Sequence, residues 1–127
     1  MEQYLIDTNV VSDYFTASFS VIGLKFMDSV FDSVPNISVI TQIELLSWQT
    51  DSFSELKIKE FIADSVIIDI NPEVVNLCVN IRRGKKIKTP DAIIAATALA
   101  YELTLITNNE KDFSHIKGLK IVNPYKI

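Results

Sequence analysis

The sequence predicts an α/β fold of three layers, α/β/α, built on a small, mostly parallel sheet of four to five strands. Three observations predict it. Short apolar runs alternate along the chain with longer stretches of helical spacing. One segment, Ala92 to Ala100, is apolar nearly all round, which marks a helix buried between other layers. Finally, 127 residues with 48% hydrophobic content suffice for one core and are too few for two ordinary domains, so residues 1–127 read as a single domain.

Tyr4-Leu5-Ile6 is a short buried-strand pattern, ended by Asp7-Thr8-Asn9. Val10, Val11, Tyr14 and Phe15 then have the spacing of one helix face. Ile22, Phe26, Val30, Phe31 and Val34 mark a second helix, closed by Pro35-Asn36. Ile37-Ser38-Val39-Ile40 reads as the second strand, with a helix starting at Thr41. Phe53 to Ala63 is a further amphipathic helix and Val66-Ile67-Ile68 the third strand. Pro72 opens a helix that carries Cys78 and runs to about Arg82.

Thr89-Pro90-Asp91 has the form of cap, first-turn proline and first-turn acid, so the buried helix starts there. Leu103 to Ile106 is the fourth strand, Thr107 to Glu110 a polar turn, and Lys120-Ile121-Val122 a short last strand at an edge. Asp51-Ser52 and Asn123-Pro124 are ordinary turns.

Several functions are excluded early. No apolar run approaches the roughly 20 residues of a membrane span, and the amino terminus lacks a signal-type pattern, so a cytoplasmic protein is expected. Cys78 is alone and sits in an apolar pattern, as a core residue would. His115 is also alone, which leaves neither a zinc site nor the acid and base pair of a metal-free ribonuclease. Three scattered glycines exclude a dinucleotide-binding turn. A phosphatase of the haloacid-dehalogenase type wants a second aspartate two residues after the first, where this chain has Asn9.

Net charge is −4, which argues against nonspecific nucleic-acid binding by the chain as a whole. The average hides a basic run: Arg82, Arg83, Lys85, Lys86 and Lys88 supply five of the twelve Lys and Arg residues. Such a run can hold a phosphate backbone locally, or simply be a solvated loop.

The acids carry the chemistry. Asp7 follows the first strand directly, and Asp112 comes just after the fourth strand and its turn. In a parallel sheet all carboxyl ends lie on one edge, and the helices that follow the strands begin there. Glu44, at the helix start after the second strand, and Asp91, in the first turn of the buried helix, face that same edge. Each acid alone has a quieter reading. Thr41-Gln42-Ile43-Glu44 fits a capping box, Asp91 complements a helix dipole, Asp7 forms an Asx turn, and Asp112 is a surface acid beside Lys111. None of these readings explains why all four share one edge. Gathered carboxylates repel unless a cation compensates, and oxygen ligands suit Mg2+ or Mn2+.

At these residues the sequence resembles the PIN-domain nucleases, and among them the VapC-like toxins of bacterial toxin–antitoxin pairs. The matching segments are Leu5-Ile6-Asp7-Thr8-Asn9, Ser38 to Leu45, Thr89-Pro90-Asp91 through Ala98, and Leu105 to Phe113, in order along almost the whole chain. The resemblance implies a PIN-like fold and Mg2+- or Mn2+-dependent hydrolysis of RNA. It also implies a homodimer and a cognate antitoxin that obstructs the site. Residue by residue it implies Asp7, Glu44 and Asp91 as metal-binding acids, Asp112 as the fourth, and Thr8, Thr107 and Asn109 as polar support. The last motif departs from the family at Asn109, where many relatives carry an acid; Glu110 is the nearest substitute.

The expected mechanism is in-line attack of an activated water on an RNA phosphodiester, with the Arg82–Lys88 run holding the substrate backbone. Two alternatives stand beside it: a catalytically inactive PIN-like module that binds RNA or protein, and a housekeeping RNA-processing nuclease.

Overall fold

In a computed structural model of the chain, which describes residues 2–16 and 19–127, the sheet has five strands in the order β3-β2-β1-β4-β5. These are β1 (Tyr4–Ile6), β2 (Asn36–Ser38), β3 (Val66–Ile68), β4 (Thr104–Ile106) and β5 (Ile121–Val122). Every pairing is parallel, with Leu5 beside Leu105 and Ile37 beside Ile67. Around them stand α1 (Thr8–Phe15), α2 (Val21–Asp32), α3 (Val39–Ser47), α4 (Ser52–Ala63), α5 (Pro72–Gly84), α6 (Thr89–Ala100) and α7 (Glu110–Phe113). A single 3-10 turn, Pro124–Lys126, closes the chain.

The three layers follow from strand periodicity, because successive side chains point to opposite faces of a sheet. Leu5, Ile68 and Leu105 face a core completed by Val74 and Cys78 of α5 and by Ala92, Ile94, Ala95 and Ala98 of α6. Their neighbours Ile6, Ile37 and Ile106 face the other core, with Val10 and Val11 of α1, Met27 and Val30 of α2, and Ile58 and Phe61 of α4. The apolar α6 is buried as its composition predicts. Cys78 is a buried core residue, and burial pushes its thiol up. No helix among the described residues is long and apolar enough to cross a membrane.

Four sequence expectations are corrected. The second strand ends at Ser38, whose hydroxyl accepts from Ile40 N–H (3.1 Å) and caps a helix that starts at Val39 rather than Thr41. Glu44 therefore lies in the second turn of α3, and the capping box does not form. Lys88, not Thr89, is the N-cap of α6, without a side-chain cap bond. Glu110 belongs to the short helix α7 rather than to the turn, with Asn109 as its N-cap. In α2 the buried face is Gly23, Met27 and Val30, while Ile22 is exposed and Val34 lies beyond the helix. Phe15, Phe19 and Phe26 make ring contacts within the chain, with Phe61, Tyr125 and Tyr4 respectively.

The strand order puts β1 beside β4, with the chain winding outward in opposite directions from this pair. Such a switch point leaves a crevice at the carboxyl ends of its two strands, where open α/β sheets place their ligands. Asp7 and Thr107 are the residues that leave those two ends.

Candidate active site

The crevice is a cavity of about 660 Å³ lined by Asp7, Glu44, Asp91 and Asp112, together with Thr8, Asn9, Ser12, Leu45, Trp48, Lys88 and Asn109. All four acids named from the sequence are thus brought together from four different elements. Asp7 extends the sheet by one bond, its N–H donating to Ile106 C=O (3.0 Å), and then caps α1 by accepting from Thr8 N–H (2.8 Å). Its other carboxylate oxygen accepts from the Thr107 hydroxyl (2.8 Å), a bond made across the switch point. Asp7 is buried, at 6% exposure, so both contacts fix its carboxylate firmly.

Thr8 links the next acid. Its hydroxyl lies 2.6 Å from Glu44 Oε1 and 3.1 Å from the buried Thr41 hydroxyl. Thr41, removed from its expected capping role, stands in the first turn of α3 and joins this network instead. Asn109 serves Asp112 twice: its Nδ2 donates to Asp112 Oδ2 (2.9 Å), and its Oδ1 accepts from Asp112 N–H (3.4 Å). The Asn109 N–H in turn donates to Thr107 Oγ1 (3.0 Å), so Thr107 connects Asp112's support to Asp7. Thr8, Thr107 and Asn109 are thus in contact with the acids.

Glu110 turns away. It accepts from Asn123 (3.3 Å) and pairs with Lys126, and it is absent from the cavity wall.

The acids repel one another. Burial raises the Asp7 carboxyl above its ordinary value; the Thr107 and Thr8 bonds oppose that rise, and the charges of Asp91 and Glu44 add to it. Burial likewise raises Asp91, followed by the charges of Asp112 and Glu44, with Lys88 opposing. The ion pairs among the described residues lie elsewhere, joining Lys57 to Glu60, Lys59 to Glu55 and Lys126 to Glu110.

Lys88 alone of the basic run lines the cavity. Arg82 and Arg83 flank an apolar groove with Ile70, Val74 and Val79, Lys85 lies near His115, and Lys86 is exposed. Ser12, Leu45 and Trp48 are lining residues that the sequence reading missed, and Trp48 is the largest of them. Its signal was a lone tryptophan one helical turn after Glu44.

The donor set, four carboxylates with hydroxyl and amide oxygens nearby, has the chemistry a hard divalent cation takes. Among the described residues no three His, Cys, Asp or Glu side chains already form a cage, so the fit is one of chemistry and common location.

The family model described as PIN domain matches residues 4–119. No curated protein matches the chain. Among solved structures, a chain of a toxin–antitoxin complex from Klebsiella pneumoniae is 34% identical, with a TM-score of 0.79 over 98% of this chain and 100% of that one. FitAcB from Neisseria gonorrhoeae (24% identity, TM-score 0.81, 98% and 100% covered) shares the fold. So does VapBC2 from Rickettsia felis bound to a promoter DNA fragment (23%, 0.77, 94% and 97%). The chain belongs to the PIN-domain family, a family of nucleases, and is similar within it to a chain of a toxin–antitoxin complex.

Proposed function

We propose that the protein is a Mg2+- or Mn2+-dependent ribonuclease and the toxin of a toxin–antitoxin pair. The observation that carries this reading is the convergence of Asp7, Glu44, Asp91 and Asp112 on one cavity where, among the described residues, Lys88 is the only lysine or arginine. Those four carboxylates would hold the cation. When bound, it would offset their mutual repulsion, lower the pKa of a water and stabilise charge on the phosphate.

The remaining work falls to the chain. Thr107 and the Thr8 N–H fix the Asp7 carboxylate, the Thr8 hydroxyl holds Glu44, and Asn109 holds Asp112. Lys88 places one positive charge at the mouth for a substrate phosphate. Carboxylate oxygens held this way orient a water for in-line attack on a phosphodiester without reorganising as the reaction proceeds.

An antitoxin partner and a homodimer belong to the same proposal. Ile43, Leu46, Phe53 and Leu56 are each at least half exposed on α3 and α4, and exposed apolar side chains of this kind suit a protein partner.

The test is cleavage of RNA by the wild type and by Asp7→Asn with Mg2+, with Mn2+ and with EDTA. The expected result is cleavage that requires the metal and is lost in the variant. Metal-independent cleavage, or an unchanged Asp7→Asn rate, rejects the mechanism. Toxicity on expression, relieved by the product of a small neighbouring gene, tests the toxin role against housekeeping RNA processing.

A further inference from the structure

We propose that Trp48 and Lys88 form a single-nucleotide subsite beside the acids, with Trp48 stacking on an unpaired base and Lys88 holding its phosphate. The inference rests on the ribonuclease reading above and adds what that reading leaves open, which side chains beside the acids hold a nucleotide.

Four observations carry it. Trp48 lines the acid cavity and is 45% exposed, so its indole is open to a ligand in the crevice. It is the C-cap of α3, four residues after Glu44, so it lies one turn along the helix from an acid of the site. The ring contacts among the described residues join phenylalanines and tyrosines to one another, and no ring packs on the indole. Lys88 stands at the N-cap of α6, three residues before Asp91, and among the described residues is the only lysine or arginine on the cavity wall.

A carboxylate-lined cleft repels a polyanion, so a substrate needs attraction from groups other than the acids. An indole supplies it without charge, because every base has a π-face, and a lysine supplies it as a point charge on phosphate. A base inside a duplex is already stacked on its neighbours and cannot offer its face to Trp48. The pair therefore selects single-stranded segments or loops.

Trp48 is the chain's only tryptophan, so its fluorescence reports on the subsite alone. The experiment titrates Asp7→Asn, which leaves RNA uncut under the ribonuclease reading, with a single-stranded oligoribonucleotide and with the same sequence as a duplex. The expected result is saturable quenching by the single strand and little by the duplex. In the Asp7→Asn background, Trp48→Leu should weaken single-strand binding by about 5- to 150-fold, the range of one base stacked on an aromatic ring. Trp48→Phe should restore part of that loss, which a merely structural role would not predict. Lys88→Met should lower the slope of log K against log salt by about 0.7, the share of one phosphate contact on a single strand.

RNA binding without quenching, or Trp48→Leu binding as tightly as its parent, overturns the subsite. If such variants also cleave RNA normally in the Asp7 background, the ribonuclease reading survives alone. If the wild type neither binds nor cleaves RNA, both fail. A Trp48→Leu protein that loses only the binding of a protein partner assigns the indole to that interface and also overturns the inference.

Discussion

Thr107→Val removes one hydroxyl and keeps the side-chain volume, so it isolates the bond across the switch point. Thr107 is fully buried, and its oxygen donates to Asp7 Oδ2 at 2.8 Å while accepting from Asn109 N–H at 3.0 Å. Valine fills the same space and opens no cavity, but it leaves a buried carboxylate oxygen and a half-buried N–H without their partner. A hydrogen bond to a charged group contributes about 1.5–3 kcal/mol, and the orphaned amide adds to the loss, so the expected cost is about 2–3 kcal/mol at neutral pH. For 127 residues that is a fall in Tm of roughly 8–12 °C. Thermal and urea unfolding in EDTA measure it.

A double-mutant cycle with Asp7→Asn sharpens the assignment, because a neutral partner forgoes the charge-assisted part of the bond. The cost of Thr107→Val should therefore drop by about half in the Asp7→Asn background. A cost below about 0.5 kcal/mol, or an equal cost in both backgrounds, would refute the claim that this hydroxyl fixes the Asp7 carboxylate.

Asp7→Asn should itself stabilise the metal-free protein at neutral pH by about 1 kcal/mol while abolishing cleavage, since it removes a buried charge that burial and two neighbouring carboxylates disfavour. The sign with pH follows from linkage. The folded-state values of Asp7 and Asp91 both lie above the ordinary carboxylate value, so between that value and the raised one the folded state holds more protons than the unfolded. Stability in EDTA should rise as pH falls from neutral towards about 4, and the slope should be shallower in Asp7→Asn; a wild type that steadily loses stability over this range contradicts the assignment. Gly23→Ala would place a Cβ 2.3 Å from the Pro124 carbonyl oxygen, so the closing turn must shift, at about 1–3 kcal/mol. The turn also carries the Tyr125 hydroxyl bonded to Asp13, which with burial raises the phenol, so spectrophotometric titration should show Tyr125 ionising at lower pH in the variant.

The architecture was legible because layer-forming residues repeat with the period of their element. β3 and the core of α6 could be read directly, and so could the strand-end position of Asp7. Where two local rules competed, the reading slipped. Val39 and Ile40 are β-branched and extend the run of β2, yet Ser38 caps a helix that takes them both. The same slip hid the role of Thr41, which a helix beginning two residues earlier turns towards Thr8.

The short α7 was hidden because four residues carry no periodicity, and only the capping pattern of Asn109 marks it. Adjacency in sequence also misled. The whole Arg82–Lys88 run is expected to hold the substrate backbone, but α5 continues to Gly84 and carries its two arginines to a different groove. Only Lys88, three residues from Asp91, lies on the cavity wall.

Neutral donors hold acids outside the cavity too, as Tyr125 holds Asp13, Tyr14 holds Asp28 and Ser54 holds Asp51, so what sets the site apart is that four acids meet there. Outside the cavity, Glu55, Glu60 and Glu110 are matched by lysines, which both orient and neutralise them. Inside it, Asp7, Glu44 and Asp112 are held by hydroxyls, an amide side chain and backbone N–H groups. Neutral donors fix the direction of a carboxylate and leave its charge in place. A fold gains little stability from three oriented acids whose repulsion is left standing, and replacing them with uncharged side chains would relieve it. The arrangement makes sense when the missing counter-charge arrives from outside the chain, which is why metal binding and metal-free stability should move in opposite directions when Asp7 is neutralised. If Asp7→Asn instead weakened the metal-free fold while leaving Mg2+ affinity intact, the carboxylate would be a structural cap and nothing more.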